Sequence, residues 1–291
     1  MTSKPRIGYI GVGLMGLPMA KRLLSLGYQV RAYDLLAQKT AAAAQAGAAA
    51  ASSPADAVRD AQLVLLNLPT TEAVEQAVFG EEGVASAVRA PQLVIDFSTI
   101  KVEKCKAFAR TLREVSGAGW IDAPVSGGPP ASGSGTLTVM AGGDPAELER
   151  ARPLLADVAG RITHMGPSGA GLAAKMLNQL FVGCGHAVLA EAVVLAEAAG
   201  IDAARLPECL AGGLADSALL QRFFPRMVKR DFAPQGYVRQ LLKDLEMVNE
   251  FAGALKAPTP MMGEALSLYR MLAHLGHTEL DTVAVLKLYE R

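Results

Sequence analysis

The 291-residue chain has no surplus of charge of either sign: 28 Lys+Arg stand against 28 Asp+Glu. Nucleic-acid binders carry a basic excess or stripe, so no nucleic-acid partner is expected. Cysteine is scarce. Cys105, Cys184 and Cys209 are odd in number, scattered, and form no CxxC pair. That pattern excludes a disulfide framework and a zinc site and suits a reducing cytoplasm. The four histidines are too spread for a metal cluster; His274 and His277 are close but have no compact set of Cys or carboxylate ligands beside them. Long apolar runs are also missing. The longest mainly apolar stretch, Met176 to Ala190, is interrupted by Asn178, Gln179 and His186. A membrane span needs roughly 20 apolar residues, so this stretch is expected to be a core helix and no membrane partner is expected. The apolar run near the start is broken by Gly8, Gly11, Gly13 and Gly16, unlike a signal peptide.

What the chain does have is apolar content and glycine: 51% hydrophobic residues and 29 glycines. Its length suits one large domain or two moderate ones, and such apolar content excludes wholesale disorder. Through about residue 165, short apolar runs alternate with helical stretches. Strands are expected at Ile7–Ile10, Gln29–Tyr33, Leu63–Leu66, Leu93–Phe97, Gly119–Asp122, Thr136–Met140 and Arg161–His164. Met15, Met19, Leu23 and Leu26 fall on one helical face, and Gly27 supplies a stop. Runs such as Leu63-Val-Leu-Leu are continuously apolar, as in strands covered on both faces. The alternation implies parallel strands and a doubly wound sheet. The Ala-rich segment 41–51 is expected to be a helix packed on that sheet.

After Gly171 the strand signals stop. Helices are expected at Leu172–Ala199, Ala203–Ala211, Leu219–Val228, around Gln240–Leu255, at Pro260–His274 and at Leu280–Tyr289. The chain is therefore α/β at the N-terminus, residues 1–165, and all-helical over 166–291, with a long helix from about 169. The helical half carries more apolar surface than a small domain buries alone, which points to a homodimer or homotetramer.

Two sets of residues carry chemistry. Gly11-Val-Gly13-Leu14-Met15-Gly16 sits between the first strand and the first helix. In such a turn the first Gly allows the bend, the second admits a pyrophosphate, and the third permits close helix–strand packing. Helix-start N–H groups then face the phosphates. Asp34 ends the second strand, where an acid accepts from an adenosine ribose diol and repels a 2′-phosphate. Leu35 and Leu36 follow rather than Arg, so NAD is favoured, with NADP left open; the bland alternative is that Asp34 merely caps a helix. The second set begins with Asp122-Ala-Pro-Val-Ser126-Gly127-Gly128, a turn with exposed amides that could hold a carboxylate or be purely structural. Gly166-x-x-Gly169-x-Gly171-x-x-x-Lys175-x-x-Asn178 follows. Lys175 and Asn178 share a helix face that is otherwise apolar. Lys175 there either snorkels to solvent or exchanges a proton, which an unfavourable place near the helix start makes easier.

Together these segments resemble the β-hydroxyacid dehydrogenase family, which includes 3-hydroxyisobutyrate dehydrogenase and tartronate semialdehyde reductase. The likeness runs over essentially the whole chain. It rests on Gly8-Tyr-Ile-Gly-Val-Gly-Leu-Met-Gly16, Asn67-Leu68-Pro69, Asp96-Phe-Ser98-Thr99-Ile100, the Asp122–Gly128 segment, the Gly166–Asn178 cluster and Lys243-Asp244-Leu245, in the family's order. The resemblance implies a Rossmann-like domain before the helical one, and reversible hydride transfer on a small hydroxy acid or semialdehyde. It makes Lys175 the general acid/base, with Ser126 and Gly127 on the substrate carboxylate. Leu68, Pro69 and Thr99 would line the nicotinamide side, Lys243 would close over the cofactor, and Asp244 would sit beside it. Two departures stand out. Many relatives carry Asn four residues after the lysine; here that position is Gln179 and Asn178 precedes it, as in the tartronate semialdehyde reductase branch. The Gly212-Gly213-Leu214-Ala215 segment resembles the same branch. Gly236 stands two after Pro234, where relatives often place an aromatic. Both Asn178 and Gln179 are thus substrate candidates, Asn178 the favoured one. A non-catalytic dinucleotide-binding scaffold is the alternative of another class.

Overall fold

The computed structural model describes residues 4–290. Nine strands form one sheet: β1 Ile7–Ile10, β2 Val30–Tyr33, β3 Ala49–Ala50, β4 Leu63–Leu66, β5 Leu93–Asp96, β6 Gly119–Asp122, β7 Val125–Ser126, β8 Leu137–Gly142 and β9 Ala159–Gly166. Their order is β3-β2-β1-β4-β5-β6-β8-β7, with β9 on β8. The first six strands are parallel, and β1, β4, β5 and β6 run in step, so that Asp96 lies beside Asp122. Helices from the crossovers cover both faces. All four residues of β1, β4, β5 and β6 are buried accordingly. The first crossover helix, Gly16–Ser25, buries Gly16, Met19, Ala20 and Leu23; Gly27 then reverses the chain at φ 85°.

The sheet departs from an all-parallel one at its far end, where β8 runs antiparallel to both β6 and β7. A parallel crossover takes a dozen residues or more. Between β7 and β8 lies only the short helix Gly128–Ser134, turned at both ends by glycines with positive φ, Gly127, Gly128 and Gly135. The Ala-rich segment differs too. Its helix ends at Gln45, Gly47 turns the chain at φ 107°, and Ala49–Ala50 pairs at the sheet edge. Two-residue strands such as β3 and β7 carry no periodicity that a sequence could display.

The chain divides into two compact units, one ending at Lys175 and the other beginning at Met176, inside a continuous helix Ala170–Ala198. By length and composition that helix could cross a membrane, which the shorter interrupted run had not suggested; 44% of its apolar window is buried within the protein. In the second unit follow the helices Leu206–Leu210, Ala218–Val228, Val238–Ala254 and Pro260–His274. The expected single helix at 203–211 is a 3-10 turn, Ala203–Arg205, joined to a short α-helix that Pro207 starts. The last element, Thr282–Tyr289, is a 3-10 helix begun by Asp281. Asp281 is fully buried and holds this unit together. Its carboxylate accepts from the Gln235, Gly236 and Val283 amides and pairs with Arg226 at 3.1 Å.

Candidate active site

In an open parallel sheet, ligands bind beyond the carboxyl ends of the strands, where the strand order reverses. Here that point lies between β2–β1 and β4–β5. The turn Gly11–Gly16 follows β1, Asp34 follows β2, Leu68 and Pro69 follow β4, and Thr99 follows β5. Ser126 and Gly127 come just after β6. One sheet edge therefore collects all of these residues from five separate stretches of sequence.

The glycines of the turn are required for different reasons. A Cβ on Gly16 would lie 2.1 Å from the Gly11 carbonyl oxygen, and one on Gly11 would lie 2.3 Å from that of Asn67. Both are fixed by packing within the chain. Gly13 is not: its Cβ would meet only the end of the Lys39 side chain, Nζ at an ordinary 3.5 Å and Cε at 4.0 Å. Nothing in the protein needs a glycine there, whereas a pyrophosphate resting on the turn does. The residues thus fit a dinucleotide. Leu14 is exposed and Met15 half-buried beside this cradle. Asp34 accepts from the Val12 amide at 3.1 Å and the Leu36 amide at 3.0 Å. It therefore ties the turn to the second strand while keeping lone pairs for a diol. Lys39 stands 3.9 Å from it, a cation that inspection of the residues directly after Asp34 misses. Leu35 and Leu36 are exposed at the same rim.

Beyond the ends of β4 and β5, the Leu68 amide donates to Ser98 Oγ at 2.9 Å, and the Ser98 amide donates to Asp96 Oδ1 at 2.9 Å. Asp96 thereby links the ends of β4 and β5. It is fully buried, and desolvation pushes its carboxyl up to about 7 against the opposing Ser98 hydrogen bonds. Its neighbour Asp122 is also raised by burial, opposed by backbone hydrogen bonds. Asp122 accepts from the Gly169 and Leu172 amides at 2.8 and 3.0 Å and so anchors the start of the long helix. Gly171 lies so close to this strand that a Cβ would come within 2.3 Å of the Met140 oxygen.

That anchored helix delivers Lys175. It does not snorkel: it is 7% exposed, and Nζ donates to the Val125 carbonyl oxygen at 2.8 Å. The amine is thus held one residue from Ser126. Gly127, at φ 130°, has no room for a Cβ, which would lie 2.6 Å from that of Ala131; Gly128 also has positive φ. One turn along the same helix, Asn178 Nδ2 donates to Gln179 Oε1 at 2.8 Å, and Gln179 Nε2 donates to Asp244 Oδ2 at 2.6 Å. Lys243 Nζ lies 3.1 Å from Asp244 Oδ1. These four residues belong to the second compact unit, the others to the first. A cavity of about 370 Å³ lined by Lys106, Arg110, Arg113, Trp120 and Glu147 includes none of the candidate residues.

The chain matches two family models end to end: the NAD binding domain of 6-phosphogluconate dehydrogenase over residues 6–166, and the NAD-binding domain of NADP-dependent 3-hydroxyisobutyrate dehydrogenase over 169–289. The chain belongs to the β-hydroxyacid dehydrogenase family. It is similar to an NAD-dependent L-serine dehydrogenase of Pseudomonas aeruginosa, 37% identical over 98% of both chains. It is 33% identical to the 2-hydroxy-3-oxopropionate reductase of Escherichia coli, over 98% of this chain and 97% of that one. Among solved structures it resembles the Mycobacterium tuberculosis 3-hydroxyisobutyrate dehydrogenase with L-serine, TM-score 0.89, 33% identical, covering 99% of each. As a member of this family the protein is an oxidoreductase acting on hydroxyl groups with a nicotinamide dinucleotide.

Proposed function

We propose that this β-hydroxyacid dehydrogenase interconverts a small 3-hydroxy acid and its semialdehyde, and that it serves as a tartronate semialdehyde (2-hydroxy-3-oxopropionate) reductase. One observation carries the assignment of the chemistry: the buried Lys175 amine, fixed on the Val125 carbonyl beside Ser126. The likeness to the Escherichia coli reductase supports the substrate, as does the Lys-x-x-Asn-Gln order of this chain, which resembles the tartronate semialdehyde reductase branch.

Gly11, Gly13 and Gly16, with Leu14 and Met15, would hold the pyrophosphate; Asp34 would take the adenosine ribose, which favours NAD. Leu68, Pro69 and Thr99 would line the nicotinamide side, and Lys243 would cover it. The bound nicotinamide supplies the hydride acceptor or donor at C4. In oxidation, neutral Lys175 takes the hydroxyl proton as the C3 hydrogen leaves with its electron pair. In reduction, the Lys175 ammonium gives that proton to the developing alkoxide. Ser126 with the Gly127 and Gly128 amides holds the substrate carboxylate, which orients C3 before transfer and lowers the entropic part of the barrier. The Asp122 anchor keeps the helix, and so the amine, in place.

The enzyme is expected to be cytoplasmic and a homodimer or homotetramer. Leu177, Phe181, Val188 and Leu195 support assembly: all are exposed, on one face of the long helix at spacings of four, seven and seven. Sedimentation at micromolar concentration showing a monomer would contradict it. The functional assignment is tested by turnover of tartronate semialdehyde and methylmalonate semialdehyde with NADH and NADPH. Faster turnover of the first with NADH is expected; preference for the second, or for NADPH, would reject the substrate or the Asp34 role respectively.

A further inference from the structure

The cavity that includes none of the candidate residues lies wholly in the sheet unit. Its volume of about 370 Å³ falls in the range of small-molecule sites, about 300–1,000 Å³. One wall is the helix Val102–Ser116, which presents Lys106, Arg110 and Arg113 at spacings of four and three, on one face. Another carries Asp144 and Glu147, at the start of the helix Pro145–Val158. Ala109, Trp120 and Pro167 supply apolar surface.

The charges around this space do not all cancel. Lys106 Nζ pairs with Glu103 at 2.8 Å, and Arg113 is held by Glu147. Glu147 is 8% exposed, and its carboxylate fills the space that a Cβ on Gly119 would need, 2.4 Å from Oε1. That buried seat keeps the Arg113 guanidinium in its own pair. Two lining charges remain. Arg110 and Asp144 are exposed and form no ion pair, with each other or with any other described residue. Asp144 Oδ1 accepts from the Ala146 and Glu147 amides at 2.9 and 3.1 Å. The carboxylate is thereby fixed as a helix cap, with Oδ2 left for another donor. Arg110 follows Lys106 by four residues, a like-charge spacing that a helix disfavours and that a bound anion relieves.

We propose that this cavity binds an α-amino acid with an apolar side chain, its carboxylate on Arg110, its ammonium on Asp144 Oδ2 and its side chain against Ala109, Trp120 and Pro167. An unpaired cation and an unpaired anion lining one space match a zwitterion. A plain carboxylate leaves Asp144 unmet and a plain amine leaves Arg110 unmet, so each forfeits a charge-assisted hydrogen bond. The site uses no residue assigned to the dinucleotide or the hydroxy acid and stands apart from the hydride transfer.

Trp120 is the single tryptophan of the chain, so its fluorescence reports on the cavity it lines. Leucine is titrated into the protein, followed by fluorescence and calorimetry. Isopentylamine, which lacks the carboxylate, and 4-methylpentanoate, which lacks the ammonium, are titrated beside it. Leucine is expected to bind saturably, about ten-fold or more tighter than either analogue. Arg110→Gln and Asp144→Asn should each weaken leucine by a similar factor. Both should melt with the wild type and keep its turnover, because Arg110 is exposed and Asn caps a helix as well as Asp. The analogue comparison uses the wild-type protein and does not depend on the variants. Absence of leucine binding overturns the proposal, and so does an analogue that binds as tightly as leucine. Leucine binding that either substitution leaves intact also overturns it, since the ligand then sits elsewhere, the surroundings of Lys175 included.

Discussion

Glycine is crowded mostly in the sheet unit and open mostly in the helical unit, where Gly183 and Gly185 are the crowded ones, against Leu245 and Leu219. In the sheet unit, Gly8, Gly11, Gly16, Gly119, Gly142 and Gly171 each leave under 3 Å for a Cβ. In the helical unit, Gly200, Gly212, Gly236, Gly253, Gly263 and Gly276 face nothing within 4 Å. In the first unit, backbone is brought close at the strand ends. In the second unit, the candidate side chains Asn178, Gln179, Lys243 and Asp244 are joined across helices. A backbone site demands particular residue types at particular spacings; a side-chain site demands only that partners meet.

Substitution of the glycines should break this contrast most visibly. Gly16→Ala is expected to destabilise the sheet unit by about 3 kcal/mol, as overpacking does, and to abolish cofactor binding. Gly13→Ala should leave the melting temperature unchanged while weakening NADH binding by about ten-fold or more, because only the phosphates need that space. Calorimetry and fluorescence titration separate the two. Equal loss of stability in both variants would mean that Gly13 too is a packing residue.

The buried titratable groups extend the contrast to pH. Burial pushes Asp96 up to about 7. Folded chains then keep a proton that unfolded chains release above about pH 4, so this group's stabilisation fades as pH rises from 4 through 7. His186, in the helical unit, is pushed down by burial to about 4. Unfolded chains bind a proton below about pH 6.5 that the folded unit refuses, so stability falls as pH drops from 6.5 to 4. At full extent the effects are on the order of 4 kcal/mol for Asp96 and 3 kcal/mol for His186. Urea unfolding across this range should show Asp96→Asn removing the decline towards neutrality and His186→Leu removing the decline towards acid. Unaltered slopes in both variants would refute these assignments.

The smallest effect is expected at the open glycines. Gly263→Ala, inside the helix Pro260–His274 with clear space around it, should stabilise the helical unit by about 0.5–1 kcal/mol. Destabilisation would show that this glycine is needed for contact with something outside the chain.

The same difference explains what was legible beforehand. The turn Gly11–Gly16, Asp34 and the strand ends could be read because φ, close approach and strand–helix alternation restrict residue type locally. The anchoring of the long helix by Asp122 could not, since it joins residues 47 and 50 positions apart. The Gln179–Asp244 bond spans 65, and each partner alone is an ordinary polar residue on a helix. Lys39 was hidden for a simpler reason: it reaches Asp34 from a turn into the next helix. The antiparallel β8 lay beyond pattern as well, because a strand's direction is set by its connection and leaves no trace in its own residues.

The central claim is that the buried amine of Lys175 moves the proton that accompanies hydride transfer. The most direct measurement is turnover by Lys175→Ala, followed through the absorbance of reduced nicotinamide, alongside NADH binding by the same protein. The account predicts a fall in kcat of about 10²–10⁴-fold with cofactor affinity retained. Turnover within a few-fold of the wild type, with binding intact, would contradict it.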